Sequence, residues 1–125
     1  MPNLTRILLA ILLASPCAGA FAGPTPPPVR AEIEALLGRI TSSNCRFERN
    51  RSWHTAADAR DHLLRKLAYI EKRSETITRT EQFIEHAASK SSFTGRSYRV
   101  RCGNGEPVES RVWLTRELQS LRSAK

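Results

Sequence analysis

The sequence contains few of the residues from which metal sites and nucleophilic active sites are built. Its 125 residues include three cysteines and three histidines, and neither a C-x-x-C nor an H-x-x-x-H spacing occurs. Those spacings are typical of zinc sites, so we expect no metal and no other cofactor. The G-x-S-x-G turn that presents the serine of many hydrolases is also missing from the sequence, which argues against that class of enzyme.

Acidic residues are scarce as well. Lysine and arginine number 20 against 12 for aspartate and glutamate, which gives a formal net charge of +8, and arginine outnumbers lysine sixteen to four. An arginine-rich surface suits anionic lipid, an anionic polymer or the acidic face of a protein. The chain is 40% hydrophobic and 26% charged, which is typical of a globular protein, and its length suits one domain.

The N-terminal segment has the three parts of a secretory signal peptide, which we assign to residues 1–22. Arg6 supplies the positive charge, residues 7–14 form a short apolar segment, and small residues precede a cleavage point after Ala22. The apolar segment is far shorter than the roughly 20 residues of a membrane-spanning helix. We therefore expect cleavage, export to the periplasm and no transmembrane segment afterwards; a retained anchor is the alternative.

The three cysteines become an even number once the signal peptide is removed. Cys17 lies inside that segment, and Cys45 and Cys102 remain. A lipoprotein acylated at Cys17 is a further alternative, but Pro16 stands where lipoprotein signals have a small residue. In an oxidising compartment a remaining pair favours a disulfide, so we predict a Cys45–Cys102 bond.

The apolar pattern of the rest of the chain predicts a single α+β domain over residues 29–125. We expect about four helices packed on a small antiparallel sheet of two to three strands. The proline-rich residues 23–28 are expected to form an extended, solvated tether. The first predicted helix begins at Val29, and the others cover 56–73, 81–89 and 110–122, with Thr55 and Ser110 as N-caps. The predicted strands cover 45–49 and 97–102.

The two predicted strands share one pattern, with apolar and arginine side chains alternating. Val100 and Cys102 fall on one face of the second strand, and Arg99 and Arg101 fall on the other. If the strands pair antiparallel, Cys45 and Cys102 lie opposite each other. Arg46, Arg99 and Arg101 then form a basic face directed away from the core. Tyr98 falls on the apolar face with Val100, and Arg49 stands at the end of the first strand.

The loop over residues 89–95 is rich in serine and ends at Gly95, and its hydroxyl and N–H groups could meet an anion or a sugar. Serine and threonine also satisfy backbone groups in ordinary turns, and that alternative stays open. The predicted contact residues for an anion or a partner are those of the loop and of the basic strand face: Arg46, Arg99, Arg101, Ser91, Ser92, Thr94 and Arg96.

The histidines offer an enzymatic alternative. His62 follows Asp58 by four residues on a predicted helix, so the two side chains can meet as half of a general-base arrangement. A hydrolase or transferase would also need a nucleophile, for which Ser91 and other serines of the loop are the candidates. A metal site formed by His54, His62 and His86 is less favoured than an ordinary surface role for these residues.

A family resemblance is carried by the segments Phe47–Asn50, His54–Thr55, His62–Leu63, Lys66–Leu67, Ile77–Thr78, Glu81–Ile84, Ala88–Gly95 and Tyr98–Val100. These segments resemble a family of small exported bacterial proteins catalogued as a domain of unknown function, the family that includes YfeK. The resemblance covers roughly residues 30–101 and departs from the family pattern at Arg51, where that pattern usually has glycine. It implies export and a single domain, and it implies no activity.

These observations favour a non-enzymatic binding or interaction module of the periplasm, with the basic strand face and the loop as its contact surface. The expected partner is an acidic protein, anionic lipid or anionic polymer. Nucleic acid is not expected, because the aromatic residues do not interleave with the basic ones as a stacking surface requires. The alternative is a small envelope hydrolase or transferase that uses His62 and a loop serine.

Overall fold

The structure is a computed structural model that describes residues 23–73 and 75–125. The predicted signal peptide, its cleavage point and Cys17 lie outside the described residues. Within these two ranges, no helix is both long enough and apolar enough to cross a bilayer.

Four helices form one layer of the fold, with the apolar face of the first at its centre. The apolar residues of this face recur every three to four positions, and the buried ones are Ile33, Leu36, Leu37 and Ile40. It packs against the other three helices. The helices are α1 (Pro27–Ser42), α2 (Ala56–Arg73), α3 (Thr80–Ala87) and α4 (Ser110–Ser123).

The second layer is an antiparallel sheet with the strand order β2-β1-β3-β4. The α+β class with four helices is confirmed, but the sheet has four strands where two to three were expected. The additional strands are too short for an alternating pattern to show in the sequence. The strands are β1 (Arg46–Arg49), β2 (Ser52–His54), β3 (Arg99–Arg101) and β4 (Val108–Glu109).

The register of β1 and β3 brings the two cysteines together at one end of the sheet. Phe47 pairs with Val100, and Arg46 pairs with Arg101, so Cys45 and Cys102 follow as neighbours. Their sulfur atoms lie 1.99 Å apart, at disulfide distance, as predicted from the cysteine arithmetic. The pair links the start of β1 to the end of β3.

Helix α1 begins earlier than predicted, inside the segment expected to be a tether. Pro27 and Pro28 occupy its first turn, where a missing N–H breaks no helical hydrogen bond. Two residues before them, Gly23 and Thr25, are hydrogen-bonded to the rest of the fold. The N–H of Thr25 donates to a carboxylate oxygen of Glu71 at 2.9 Å, and Thr25 is only 7% exposed. The solvated tether over residues 23–28 is therefore not what the structure shows.

Two predicted N-caps have different outcomes. Thr55 caps α2, because its hydroxyl oxygen accepts a hydrogen bond from the N–H of Asp58 at 3.2 Å. Ser110 is instead the first residue of α4, where the cap position is taken by Glu109. Its backbone N–H donates to the carbonyl of Tyr98 at 2.8 Å, which ties α4 to the chain entering β3.

Candidate functional site

An open groove of about 820 Å³ lies between α2, the end of β1 and the loop that precedes β3. We call it the basic groove. By strand alternation, Arg49 lies on the same face of β1 as the buried Phe47, so it points toward the groove rather than with Arg46. The basic and polar side chains that line the basic groove include Arg49, His62, Arg65, Lys66 and Tyr98.

A chain of polar contacts is centred on the hydroxyl of Tyr98. The ammonium of Lys66 donates to this oxygen at 3.0 Å and to the carbonyl of Lys90 at 2.9 Å. The Nε2 atom of His62 lies 3.2 Å from the same oxygen. All three groups are satisfied when the phenol donates its proton to Nε2. Helix α2 supplies Lys66 and His62 one turn apart, which places both side chains over Tyr98.

Burial and positive neighbours set the charge of these groups. Burial lowers the pKa of His62 to about 4, and Arg49 and Lys66 add to this shift. Burial also lowers the pKa of Lys66 to about 8, again with a contribution from Arg49. The pKa of Tyr98 is raised by burial, which Arg49 partly opposes. At neutral pH, His62 and Tyr98 are therefore uncharged and Lys66 is mostly protonated.

The positive charge of the basic groove is not neutralised by carboxylates. Among residues 23–73 and 75–125, no ion pair within 4.0 Å involves Arg49, Arg65 or Lys66. One carboxylate lines the groove, that of Glu75, and it lies 3.6 Å from the ring of His86. The arrangement suits an anionic ligand, which would meet the ammonium and guanidinium groups directly.

The serine-rich loop has an internal structural role. Ser91 is 3% exposed, and its hydroxyl oxygen accepts hydrogen bonds from the N–H groups of Phe93 (3.2 Å) and Thr94 (3.3 Å). The hydroxyl of Thr94 donates to the side chain of Asn50 at 2.7 Å. Ser92 and Arg96 are exposed. Ser91 and Thr94 therefore hold the loop together, while Ser92 and Arg96 remain accessible.

The three arginines of the predicted strand face do not form one free basic surface. Arg99 donates to both carboxylate oxygens of Glu48, at 2.6 and 3.0 Å, which lowers the pKa of Glu48. Arg101 lies over the ring of Trp53, 4.8 Å from its centroid. Arg46 is exposed beside Arg101 on the neighbouring strand. The face thus carries one neutralised arginine, one stacked arginine and one that is exposed.

The structure does not assemble the enzymatic arrangement considered from the sequence. His62 contacts Tyr98, and within the described part of the chain no ion pair joins it to Asp58. The same part of the chain contains no group of three or more histidine, cysteine or acidic residues able to hold a metal.

The contact residues predicted from the sequence did not include three residues that line the basic groove. Lys66 was part of a recognised segment without a role, Tyr98 was assigned to an apolar strand face, and Arg49 was noted only as a charge at a strand end. One signal could have found them. The segments that carry the family resemblance supply Arg49, Asn50, His62, Lys66, Ser91 and Tyr98, and all six line the basic groove.

Comparison with known proteins confirms the family resemblance. A family model described as "Family of unknown function (DUF5329)" matches residues 27–122. "Uncharacterized protein YfeK" of Salmonella typhimurium (strain LT2) is 38% identical over 69 residues. That match covers 54% of this chain and 55% of the relative, so the chain spans about half the length of this curated relative. No solved structure matches.

Proposed function

The chain belongs to the family of unknown function DUF5329, and we propose that it is an exported, non-enzymatic module that binds an anionic ligand in the basic groove. Export to the periplasm is part of the proposal and rests on the signal-peptide pattern of residues 1–22. The role of the groove rests on the geometry of the described residues.

The single observation that carries the proposal is the environment of Lys66. Its ammonium is held against the hydroxyl of Tyr98 and the carbonyl of Lys90. These neutral oxygens position the charge without cancelling it. A partly buried cation without a carboxylate partner lowers the stability of the fold, as the lowered pKa of Lys66 indicates. An anion bound beside Lys66 would remove that penalty.

Two further cations strengthen the case for an anion. Arg49 and Arg65 line the same groove and also lack carboxylate partners among the described residues. The guanidinium fork of arginine matches the geometry of phosphate and carboxylate groups. The expected ligand therefore carries at least one such group.

Binding is better supported than hydrolysis. A serine nucleophile needs an accessible hydroxyl that can give its proton to a base. Ser91 is buried, and three donors already lie within hydrogen-bond distance of its oxygen, the third being the side-chain amide of Asn50 at 3.2 Å. The ring of His62 is engaged with Tyr98. These contacts favour roles in positioning for both residues.

The experiment is a titration with tripolyphosphate and citrate at low salt, with the dissociation constant measured by calorimetry. Lys66→Met and Arg49→Met should each weaken binding about tenfold or more, since each removes one charge-assisted contact. Arg116→Met is the matched control, because Arg116 is exposed on α4, and it should leave binding unchanged. Equal affinity in all variants, or no binding by the unaltered protein, contradicts the proposal.

A further inference from the structure

Phe93 is unusual because a large apolar side chain stands entirely in solvent. It is 99% exposed, whereas the next most exposed large apolar side chain among the described residues, that of Tyr69, is 58% exposed. The guanidinium of Arg73 lies 5.2 Å from the Tyr69 ring and covers part of it. Phe93 lies at the rim of the basic groove.

The loop that carries Phe93, residues 91–95, is held in a defined conformation. The N–H of Gly95 donates to the carbonyl of Ser91 at 3.0 Å, and the N–H of Ser91 donates to the carbonyl of Arg96 at 2.9 Å. Gly95 has a φ of +72°, which closes the turn at little steric cost. Together with the hydrogen bonds to the Ser91 hydroxyl, these contacts keep Phe93 presented to solvent.

The same loop is fixed to the β1–β2 turn through Asn50. The side-chain NH₂ group of Asn50 donates to the hydroxyl oxygen of Ser91, and the side-chain carbonyl oxygen of Asn50 accepts from the hydroxyl of Thr94. Phe93 therefore stands at the rim of a groove that is lined by three cations, Arg49, Arg65 and Lys66. None of these three cations has an ion-pair partner within the described ranges.

We propose that Phe93 inserts into an anionic lipid bilayer and that the cations of the basic groove meet the lipid phosphates. This inference rests on the proposed anion-binding function and names the source of the anion as a lipid headgroup. An isolated apolar side chain beside three unpaired cations complements a surface that is negative outside and apolar beneath.

A bilayer fits this arrangement better than an acidic protein does. A stable protein interface needs an area above about 1,000 Å² with aromatic anchors seated in matching pockets. Here the exposed apolar contact is one side chain at a loop tip, and it has no polar atom to bond with a partner. A fluid bilayer needs no complementary shape. One anchor of this size gives weak, reversible attachment, so the insertion and the charges must act together.

The experiment is flotation of the protein with two kinds of vesicle, phosphatidylcholine alone and phosphatidylcholine mixed with phosphatidylglycerol. The unaltered protein should bind the mixed vesicles only. Phe93→Ser should weaken that partition roughly tenfold to hundredfold, since it removes one buried aromatic side chain. Phe93→Leu should keep most of the binding, and Arg116→Met should keep all of it.

Soluble anions separate this inference from the function on which it rests. Phe93→Ser should bind tripolyphosphate as tightly as the unaltered protein does. Binding of tripolyphosphate without binding of mixed vesicles would overturn the lipid inference and leave the anion-binding function standing. If the unaltered protein bound neither tripolyphosphate nor the mixed vesicles, both the anion-binding function and the lipid inference would be overturned. If Phe93→Ser weakened binding to poly-L-glutamate while vesicle binding stayed unchanged, an acidic protein would replace the bilayer as partner.

Discussion

The face formed by α1 and α4 and the face that carries the basic groove use the same types of charged residue and differ in how the charges are paired. On the helical face, Arg122 of α4 donates to both oxygens of Glu32 of α1, at 2.8 and 3.3 Å. Arg39 of α1 lies 3.3 Å from Glu117 of α4. Cations and carboxylates there alternate across the helix contact.

The basic groove has cations in similar number but lacks the matching carboxylates. Lys66 bonds to a phenol and a carbonyl, and no ion pair among the described residues reaches Arg49 or Arg65. The comparison shows that a charge serves stability where the chain supplies its counter-charge. A cation for which the chain supplies no carboxylate partner remains available to an anionic ligand. Three predictions test what stabilises each of the two faces.

The largest effect is expected from the covalent link between β1 and β3, at the end of these strands away from the basic groove. The Cys45–Cys102 bond connects residues 57 apart in the sequence, and a loop of that length is worth about 4 kcal/mol in the chain-entropy model. The double variant Cys45→Ala/Cys102→Ala should lower the free energy of unfolding by about that amount, as measured by urea denaturation. The helical face offers no comparable link among the described residues.

Thiol counting provides the control for the disulfide prediction. Denatured, non-reduced protein that begins at Gly23 should show no reactive thiol. Two reactive thiols would contradict the bond, and an unfolding energy unchanged in the double variant would contradict its contribution.

The second prediction tests the pairing on the helical face. The hydrogen bond from Arg122 lowers the pKa of Glu32 to about 2 from an ordinary 4.5. Stability from this pair is therefore fully present above pH 4.5 and is lost as the pH falls toward 2. Glu32→Gln should lower the free energy of unfolding by about 1 to 2 kcal/mol at pH 7, after allowance for solvent screening.

Urea denaturation at pH 7 and at pH 2.5 measures this effect. The difference between Glu32→Gln and the unaltered protein should shrink strongly at the lower pH. Glu106→Gln is the control, since Glu106 is exposed and no ion pair among the described residues involves it. A constant difference at both pH values would show that the pair does not act through charge.

The helices could be predicted from the sequence because their signals are local. The spacing of Leu63, Leu67 and Ile70 fixes the buried face of α2, and the cap at Thr55 fixes its start. The strands β2 and β4 have three and two residues, too few for an alternating pattern. They form because a neighbouring strand supplies the hydrogen bonds.

The site could not be predicted in the same way because its contacts are long-range. Lys66 and Tyr98 are separated by 32 residues, and Asn50 and Ser91 by 41. No local sequence pattern indicates that α2, the β1–β2 turn and the loop before β3 lie next to one another. Arg51, which stands where the family pattern usually has glycine, lies in the turn between β1 and β2. Asn50 and Arg51 have φ values of +49° and +70°, so Arg51 occupies a left-handed position that favours glycine.

The smallest effect is expected at Lys66. Its stability contribution rises with pH, as that of Glu32 does, but here the rise comes from the relief of an unfavourable buried charge and not from a favourable ion pair. Burial lowers the pKa of Lys66 to about 8 from 10.5. Between these values the unfolded chain holds the proton and the folded chain releases it, so stability rises with pH. Because Lys66 is only partly buried, we expect a rise of about 1 kcal/mol between pH 8 and 10.5.

The variant Lys66→Met isolates this effect from other titrations in the same range, Tyr98 included. The difference in unfolding energy between the two proteins should change between pH 8 and 10.5 and stay constant below pH 7. Adding tripolyphosphate should move the change to higher pH, because a bound anion stabilises the protonated ammonium. A change that does not respond to tripolyphosphate would mean that the anion does not reach Lys66. The difference between the two faces would then concern stability alone.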